Sequence, residues 1–395
     1  MQVLVINSGS SSIKFQVIKM PSGKVLCSGL VERIGLDNAR LVYKIAKKKH
    51  EKTTNIPDHK IGLKLVSSYL LDTEIGVISS TSEINAVGHR VVHGGSKFSK
   101  TVEVNAQVKE EIKELFDLAP LHNPANLEGI LVAEEIFKEA KQVVVFDTAF
   151  HQTIPVEAYK YAIPNEFLDT HKIRLYGFHG TSHKYVTEQA RTYLGNENSS
   201  KLISIHLGNG CSMTAVKNGK SIDHSLGFAP MNGLVMGTRC GDIDPSAVLY
   251  LINNLGYSAE EANNLLNKKS GMLGLTGFSD NRDIQAAADQ GDQACQEALD
   301  MSTYRIKKHI GAYASALNGL NALIFTAGIG ENSPETRSAA CQKMDFLGIK
   351  IDEIKNKIRT DEIREIQAHD SKVKILVIPT NEEAEIAQQA YDLIS

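Results

Sequence analysis

Val3-Leu4-Val5-Ile6-Asn7-Ser8-Gly9-Ser10-Ser11-Ser12-Ile13-Lys14-Phe15 opens the chain with an apolar strand, a turn of small residues and a returning strand. Leu202-Ile203-Ser204-Ile205-His206-Leu207-Gly208-Asn209-Gly210-Cys211-Ser212-Met213-Thr214 repeats that plan in the second half. A repeat of a whole supersecondary unit predicts two related domains whose small-residue turns face each other across a cleft. Two unrelated small-residue hairpins would leave the same trace. The length of 395 residues also calls for two domains, at about 100–200 residues per domain.

Outward from the two hairpins, short β-rich runs alternate with helical stretches, the pattern of an α/β fold with mixed sheets. Strands are predicted at Val3–Ile6, Lys14–Ile18, Ala86–Val92, Gln142–Phe146, Leu202–Ile205, Ser212–Val216, Ala322–Phe325 and Lys374–Ile378. Helical spacing joins Val108, Ile112, Leu115 and Ala119, and Asn123-Pro124 offers an N-cap with proline at the first helical position, for a helix through about Lys138. Ser258-Ala259-Glu260-Glu261 fits a capping box. A long helix is predicted from about Asp292 to Leu317, stopped at Asn318-Gly319, and a terminal amphipathic one from Glu382 to Ile394.

Composition narrows the function classes. With 42% apolar and 23% charged residues the chain has the make-up of a soluble globular protein. A net charge of −3, with no basic block beyond Lys47-Lys48-Lys49, argues against a nucleic acid or membrane surface held by bulk electrostatics. Any bound anion must be caught by a local site. The start, Met1 to Ile6, lacks the basic region of a signal peptide and the length of an anchor, and reads as a buried strand. Five scattered cysteines without a CxxC pair predict reduced thiols in a cytoplasmic protein.

Three small-residue turns carry the chemistry. Residues with little or no side chain let a phosphate approach the main chain, so Ser10, Ser12, Gly208, Asn209 and Gly210 are phosphate-cradle candidates. Neither hairpin matches G-x-x-x-x-G-K-[ST], and each alone could be an ordinary turn. A third glycine-rich turn, Thr326-Ala327-Gly328-Ile329-Gly330-Glu331-Asn332-Ser333-Pro334, follows a buried strand, where a nucleotide's base and ribose would need close approach.

Charges collect near these turns. Asp147 ends the apolar run Val143-Val144-Val145-Phe146, and Arg90 and Arg239 stand among glycines in Gly88-His89-Arg90-Val91-Val92-His93-Gly94-Gly95 and Gly237-Thr238-Arg239-Cys240-Gly241. Arginine's planar fork grips carboxylate or phosphate with two hydrogen bonds, although surface ion pairs would also place arginines here. His122, His179 and His183 stand in Leu121-His122-Asn123-Pro124 and Phe178-His179-Gly180-Thr181-Ser182-His183, among thirteen histidines in all. No H-E-x-x-H occurs. A hard cation such as Mg²⁺, held by a carboxylate or two and by phosphate oxygens, fits better than a histidine-bound metal.

These stretches, together with Phe146-Asp147-Thr148-Ala149-Phe150-His151, Tyr176 to His183, His206 to Gly210, Met236 to Arg239, Gly328 to Asn332 and Thr380-Asn381-Glu382-Glu383, resemble the acetate kinase family. The resemblance implies two duplicated actin-like, ribonuclease H-like domains, with mixed sheets flanked by helices and a nucleotide cleft between them. It puts residues 1–150 with 383–395 in one domain and 151–382 in the other. It further implies a cytoplasmic homodimer that converts acetate and ATP to acetyl phosphate and ADP, reversibly, with Mg²⁺ or a substituting Mn²⁺. By the same resemblance Asn7 and Glu382 serve the metal and Lys14 a nucleotide phosphate. Arg90 meets the substrate carboxylate, His122, His179 and Arg239 surround the transferred phosphoryl, and Asp147 is the essential acidic residue. Nucleotide contacts fall on His206, Leu207, Gly208, Asn209, Gly210, Asp280, Asn281, Arg282, Gly328, Ile329, Gly330, Glu331 and Asn332. Val92, Leu121, Phe178 and Pro230 match a small apolar pocket for the methyl group.

An acid with a pKa of roughly 4 is already ionised at neutral pH, so the nucleophile needs no general base. The obstacle is repulsion between anions. Catalysis is therefore expected to rest on alignment and cationic neutralisation in a direct in-line transfer, with Asp147 orienting an arginine or the hydrated metal. A propionate or butyrate kinase is the near alternative, because one methylene changes binding by only about 1–3 kcal/mol. A chaperone-like ATPase or nucleotide switch is the distant one.

Overall fold

A computed structural model describes residues 1–120 and 122–395; Leu121, one of the four expected pocket residues, lies outside them. The chain divides into two units, Met1–Phe150 with Asn381–Ser395, and His151–Thr380.

The first unit is built on β1 (Gln2–Gly9), β2 (Ser12–Lys19), β3 (Lys24–Glu32), β4 (Arg40–Ile45), β5 (Lys48–Thr53), β6 (Ala86–Val91), β7 (Val102–Glu103) and β8 (Lys141–Phe146). They form one sheet in the order β5-β4-β3-β2-β1-β6-β8-β7. β1 pairs antiparallel with β2 and parallel with β6, which in turn pairs parallel with β8. The unbroken apolar run of β1 follows from burial on both faces. Leu4 and Ile6 pack with Leu63, Val66 and Val132 of the helices His59–Leu70 and Asn123–Ile136. Val3 and Val5 pack with Ile386, Ala387 and Ala390 of the last helix, Glu382–Ile394. Each such side chain contributes about 1.5–3 kcal/mol by leaving water, which fixes this strand at the centre.

The second unit contains β9 (Lys201–Leu207), β10 (Cys211–Lys217), β11 (Lys220–His224), β12 (Ala322–Thr326), β13 (Arg364–Glu365) and β14 (Lys374–Val377), ordered β11-β10-β9-β12-β14-β13. β9 and β10 are antiparallel, whereas β9, β12 and β14 run parallel. The central five strands therefore have one order in both units, third-second-first-fourth-fifth: β3-β2-β1-β6-β8 and β11-β10-β9-β12-β14. The hairpin echo is a duplication of topology. Each predicted run falls on a strand, with Ala86–Val92 and Lys374–Ile378 each extending one residue past its end.

Helix predictions hold with amendments: the helix predicted on Val108, Ile112, Leu115 and Ala119 ends at Glu114, followed by a 3-10 turn at Phe116–Leu118. Ser258 and Glu261 close the capping box, and the long helix spans Gln293–Ala316 behind the Asp292 cap, with Asn318 and Gly319 both at positive φ beyond it. Asn123, however, is not the cap. The helix begins on it, His122 takes the cap position without a side-chain capping bond, and the Asn123 amide instead clamps the backbone of His93 in both directions, at 3.1 and 3.0 Å. The third glycine-rich segment is not a turn but a short helix, Ala327–Asn332, directly after β12. Ala327 makes this possible by adopting φ +63°, a left-handed conformation that alanine rarely takes. Among the described residues no helix is long and apolar enough to cross a membrane.

Candidate active site

In the first unit, β1, β6 and β8 run parallel, so their carboxyl ends lie on one edge, where α/β sheets place ligands. Asn7 comes from β1, Arg90 from β6 and Asp147 from the first position after β8. The Asp147 carboxylate, 1% exposed, is gripped by the Arg90 guanidinium: Nε lies 3.1 Å from both oxygens and Nη2 2.5 Å from Oδ2. Nη1 donates to Asn7 Oδ1 at 3.3 Å, and Glu382 Oε2 stands 3.9 Å from Nε. Burial alone would lower the Arg90 pKa, but Asp147 and Glu382 outweigh it and hold the group above its ordinary value. Burial raises the Glu382 pKa; Arg90 opposes the shift, and the charges of Asp147 and Glu383 add to it. Lys14 bonds Glu383 at 2.6 Å, with its own side chain half exposed.

Among the described residues, Ser10, Ser12 and Val92 make no side-chain bond to this cluster. Ser10 is exposed at the hairpin tip and Ser12 pairs across it with Gly9. Val92 is buried, its N–H donating to Asn126 Oδ1 at 3.1 Å. His122 is half-buried at its helix start.

In the second unit the β9–β10 turn closes through a bond from Gly208 N–H to the Gly210 carbonyl, 3.1 Å. Asn209 is held by the Gly237 N–H at 3.0 Å. A Cβ on Gly237 would come 2.0 Å from Asn209 Oδ1, so any larger residue there must push the Asn209 amide aside. A Cβ on Gly210 would lie 3.4 Å from His179 Cε1 and Nε2 and 3.7 Å from Arg239 Nη1, which places these three residues at one corner. The His179 ring stacks on His206, centroids 4.5 Å apart, and its Nδ1 meets Ser212 Oγ at 2.8 Å. Arg239 Nη1 donates to the Pro230 carbonyl at 2.7 Å, and among the described residues no carboxylate pairs with it. Burial lowers its pKa, yet a guanidinium keeps its proton throughout the physiological range. Phe178 is buried, its N–H donating to His224 Nε2 at 3.1 Å.

Beside this corner lies a cavity of about 840 Å³, large enough for a nucleoside. Leu207, Gly208, Asn209, Asp280, Asn281, Arg282, Gly328, Ile329 and Asn332 line it as expected. Asp280 is pulled down to about 2 by the Arg282 guanidinium, which it binds at 3.0 and 2.6 Å, and by the Arg282 N–H. His206, Gly210, Gly330 and Glu331 do not line the cavity but brace its walls. His206 bonds Ser182, the Gly330 carbonyl accepts from buried Arg337, and Glu331 Oε1 accepts from Thr380 N–H at 3.0 Å. Sequence reasoning missed the apolar wall of Val235, Met236, Met272, Leu299 and Ile306 and the rim residue Arg359. Leu299 and Ile306 sit seven apart on one face of the long helix, a spacing that reads equally well as ordinary core. All five cysteines are unpaired.

A duplicated α/β fold with an arginine–carboxylate clamp in one unit and a glycine-walled cavity of nucleoside size in the other, taken with the relatives that follow, makes this a phosphotransferase with a carboxyl group as acceptor. The chain belongs to the acetokinase family, whose sequence profile matches residues 2–388. It is 62% identical over 394 residues to an acetate kinase of Flavobacterium johnsoniae, with 100% of both chains covered. An acetate kinase of Thermotoga maritima is 52% identical over 399 residues, covering 100% of this chain and 99% of the relative. Among solved structures, Porphyromonas gingivalis acetate kinase superposes with a TM-score of 0.95 at 44% identity, and a propionate kinase from Francisella tularensis with 0.94 at 46%, each over 100% of both chains.

Proposed function

We propose that this chain transfers the γ-phosphoryl group of ATP to acetate, reversibly, giving acetyl phosphate and ADP, by direct in-line displacement. The Arg90–Asp147 clamp carries this reading. Asp147 occupies the Nε and Nη2 edge of the guanidinium, which fixes its plane; beyond the long 3.3 Å bond from Nη1 to Asn7 Oδ1, Nη1 and Nη2 each carry a further N–H for a second carboxylate, that of acetate. Asp147 acts as the orienting group, since the acceptor is already ionised and needs no base. Arg239 and His179 donate to the equatorial phosphoryl oxygens, where charge spreads in the transition state. Gly208, Asn209 and Gly210 approach the phosphates, with Lys14 as a further contact, and Asp280 to Arg282 and Gly328 to Asn332 hold the nucleoside. Val92, Leu121, Phe178 and Pro230 take the methyl group, and His122 flanks the phosphoryl.

Asn7 and Glu382 would hold Mg²⁺, with Mn²⁺ able to substitute. The donor set fits a hard cation: burial, with the charges of Asp147 and Glu383, raises the Glu382 pKa, and a divalent ion there would favour its ionised form. Among the described residues no cluster of three or more His, Cys, Asp or Glu forms a metal cage, as suits an ion held largely by phosphate oxygens and water. Bound there, the ion neutralises the β- and γ-phosphate charge.

The working protein is read as a cytoplasmic homodimer. The helix Pro245–Leu255 buries none of its residues and leaves Leu249 and Tyr250 58% and 57% exposed, an apolar face that a second copy would cover. Comparing kcat/KM for acetate, propionate and butyrate tests the substrate. Acetate is expected to give the highest value; a higher value for propionate would displace it.

A further inference from the structure

His179 is flanked on its Nδ1 side by a chain of fully buried groups that the transfer reaction does not itself require. Ser204 Oγ lies 2.8 Å from His183 Nδ1, His183 Nε2 lies 2.8 Å from Ser212 Oγ, and Ser212 Oγ lies 2.8 Å from His179 Nδ1. Ser204, His183 and Ser212 are each 0% exposed, so water cannot satisfy them. The two serines sit on the neighbouring strands β9 and β10, and His183 on the helix Gly180–Leu194.

The direction of the chain follows from counting donors. A buried hydroxyl proton without an acceptor is costly, and the one side-chain acceptor that Ser204 reaches is His183 Nδ1. Ser204 therefore donates to Nδ1. Burial, reinforced by the neighbouring His151 and His206, holds the His183 pKa well below its ordinary value, so the ring is neutral and carries a single N–H. With Nδ1 accepting, that proton sits on Nε2 and is donated to Ser212 Oγ. The Ser212 hydroxyl has then accepted from His183, and its own proton goes to its other ring partner, His179 Nδ1.

We propose that Ser204, His183 and Ser212 form a one-way hydrogen-bond relay that fixes His179 as the neutral tautomer with its proton on Nε2. Nε2 is the atom at the Gly210–Arg239 corner. His179 thus offers a hydrogen-bond donor to a phosphoryl oxygen without having to become imidazolium, and Arg239 supplies the positive charge. The left-handed backbone of His179, φ +54°, holds the ring in this position at a cost few residues accept. Ser212, His183 and Ser204 are positioning residues, and their role rests on the reading of His179 as a donor to the transferred phosphoryl.

The test is two-bond ¹H–¹⁵N NMR on the full-length protein labelled with ¹⁵N-histidine, with His179→Gln and His183→Gln samples used only to assign signals. At pH 7 both His179 and His183 are expected as neutral rings protonated on Nε2. A neutral Nδ1–H form of either ring, or imidazolium at His179, would overturn the relay. Ser212→Ala is expected to mix the His179 tautomers and lower kcat by about tenfold to a hundredfold, with the ATP KM nearly unchanged, and Ser212→Thr to restore both. An unchanged tautomer and kcat in Ser212→Ala would also overturn it. The tautomer readout needs no turnover: if His179→Ala kept wild-type kcat, the phosphoryl role of His179 would fall, while the NMR result would still decide the relay.

Discussion

The two units share a strand order but use the ends of those strands differently. At the ends of β1, β6 and β8 the first unit gathers full charges, Arg90 on Asp147 with Glu382 close by and Lys14 on Glu383. Around β9 and β10 the second unit gathers hydroxyls and imidazoles, and Arg239 there rests on a carbonyl. An arginine already paired with a carboxylate is fixed in plane and reduced in net charge, which suits selection of a small acid. An arginine not paired with a carboxylate, among neutral donors, keeps its charge for a group whose charge grows during reaction. Under the proposed function, one duplicated topology thus carries a recognition site in one copy and a charge-stabilising site in the other.

The sharpest way to break this contrast is Arg239→Ala. It is expected to lower kcat ~10³-fold or more with little change in nucleotide KM. A loss under tenfold in steady-state assays would place the charge stabilisation elsewhere. Asp147→Asn comes next: unpairing the half-buried Arg90 should cost about 100-fold in kcat/KM for acetate, more than for ATP. If activity returned at raised Mg²⁺, orientation would stand; equal losses for both substrates would assign Asp147 to the shared chemical step. Gly237→Ala drives a Cβ against Asn209, and should raise the ATP KM about tenfold while leaving the acetate KM alone.

The smallest effect concerns Glu382. A raised native pKa means that its ionised form is disfavoured in the fold, a penalty present above that pKa and gone once the carboxyl takes a proton. Glu382→Gln should therefore raise the Tm of the nucleotide-free protein by about 1–2 °C at pH 8, with the gain vanishing as pH falls. Calorimetry across pH would check it; a gain that grew toward acid would contradict the shift.

What could be read in advance followed from local pattern. Every strand buried on both faces was visible as an apolar run, and the duplicated hairpin gave the architecture. β5 was invisible because Lys48-Lys49-His50-Glu51-Lys52-Thr53 has no apolar residue, being a solvent-facing edge strand protected by lysines. β3, β4 and β11 were missed because each mixes exposed polar residues with its buried ones, and β7 and β13 are two residues long and carry no pattern. The helix at Ala327–Asn332 was hidden because its start depends on a left-handed alanine that sequence does not announce. Arg90 and Asp147 were legible from their places at strand ends. The Ser204–His183–Ser212 chain was not, because it depends on β9–β10 register and on a helix packed across it rather than on spacing along the chain.

The central claim, transfer of phosphoryl from nucleotide to a small carboxylate, is tested most directly by hydroxylamine trapping with the purified protein, MgATP and acetate. Acetyl hydroxamate should form in proportion to ADP. ADP release without any acyl hydroxamate above background, for acetate or any other short acid, would make the chain a nucleotide hydrolase or switch and contradict the account.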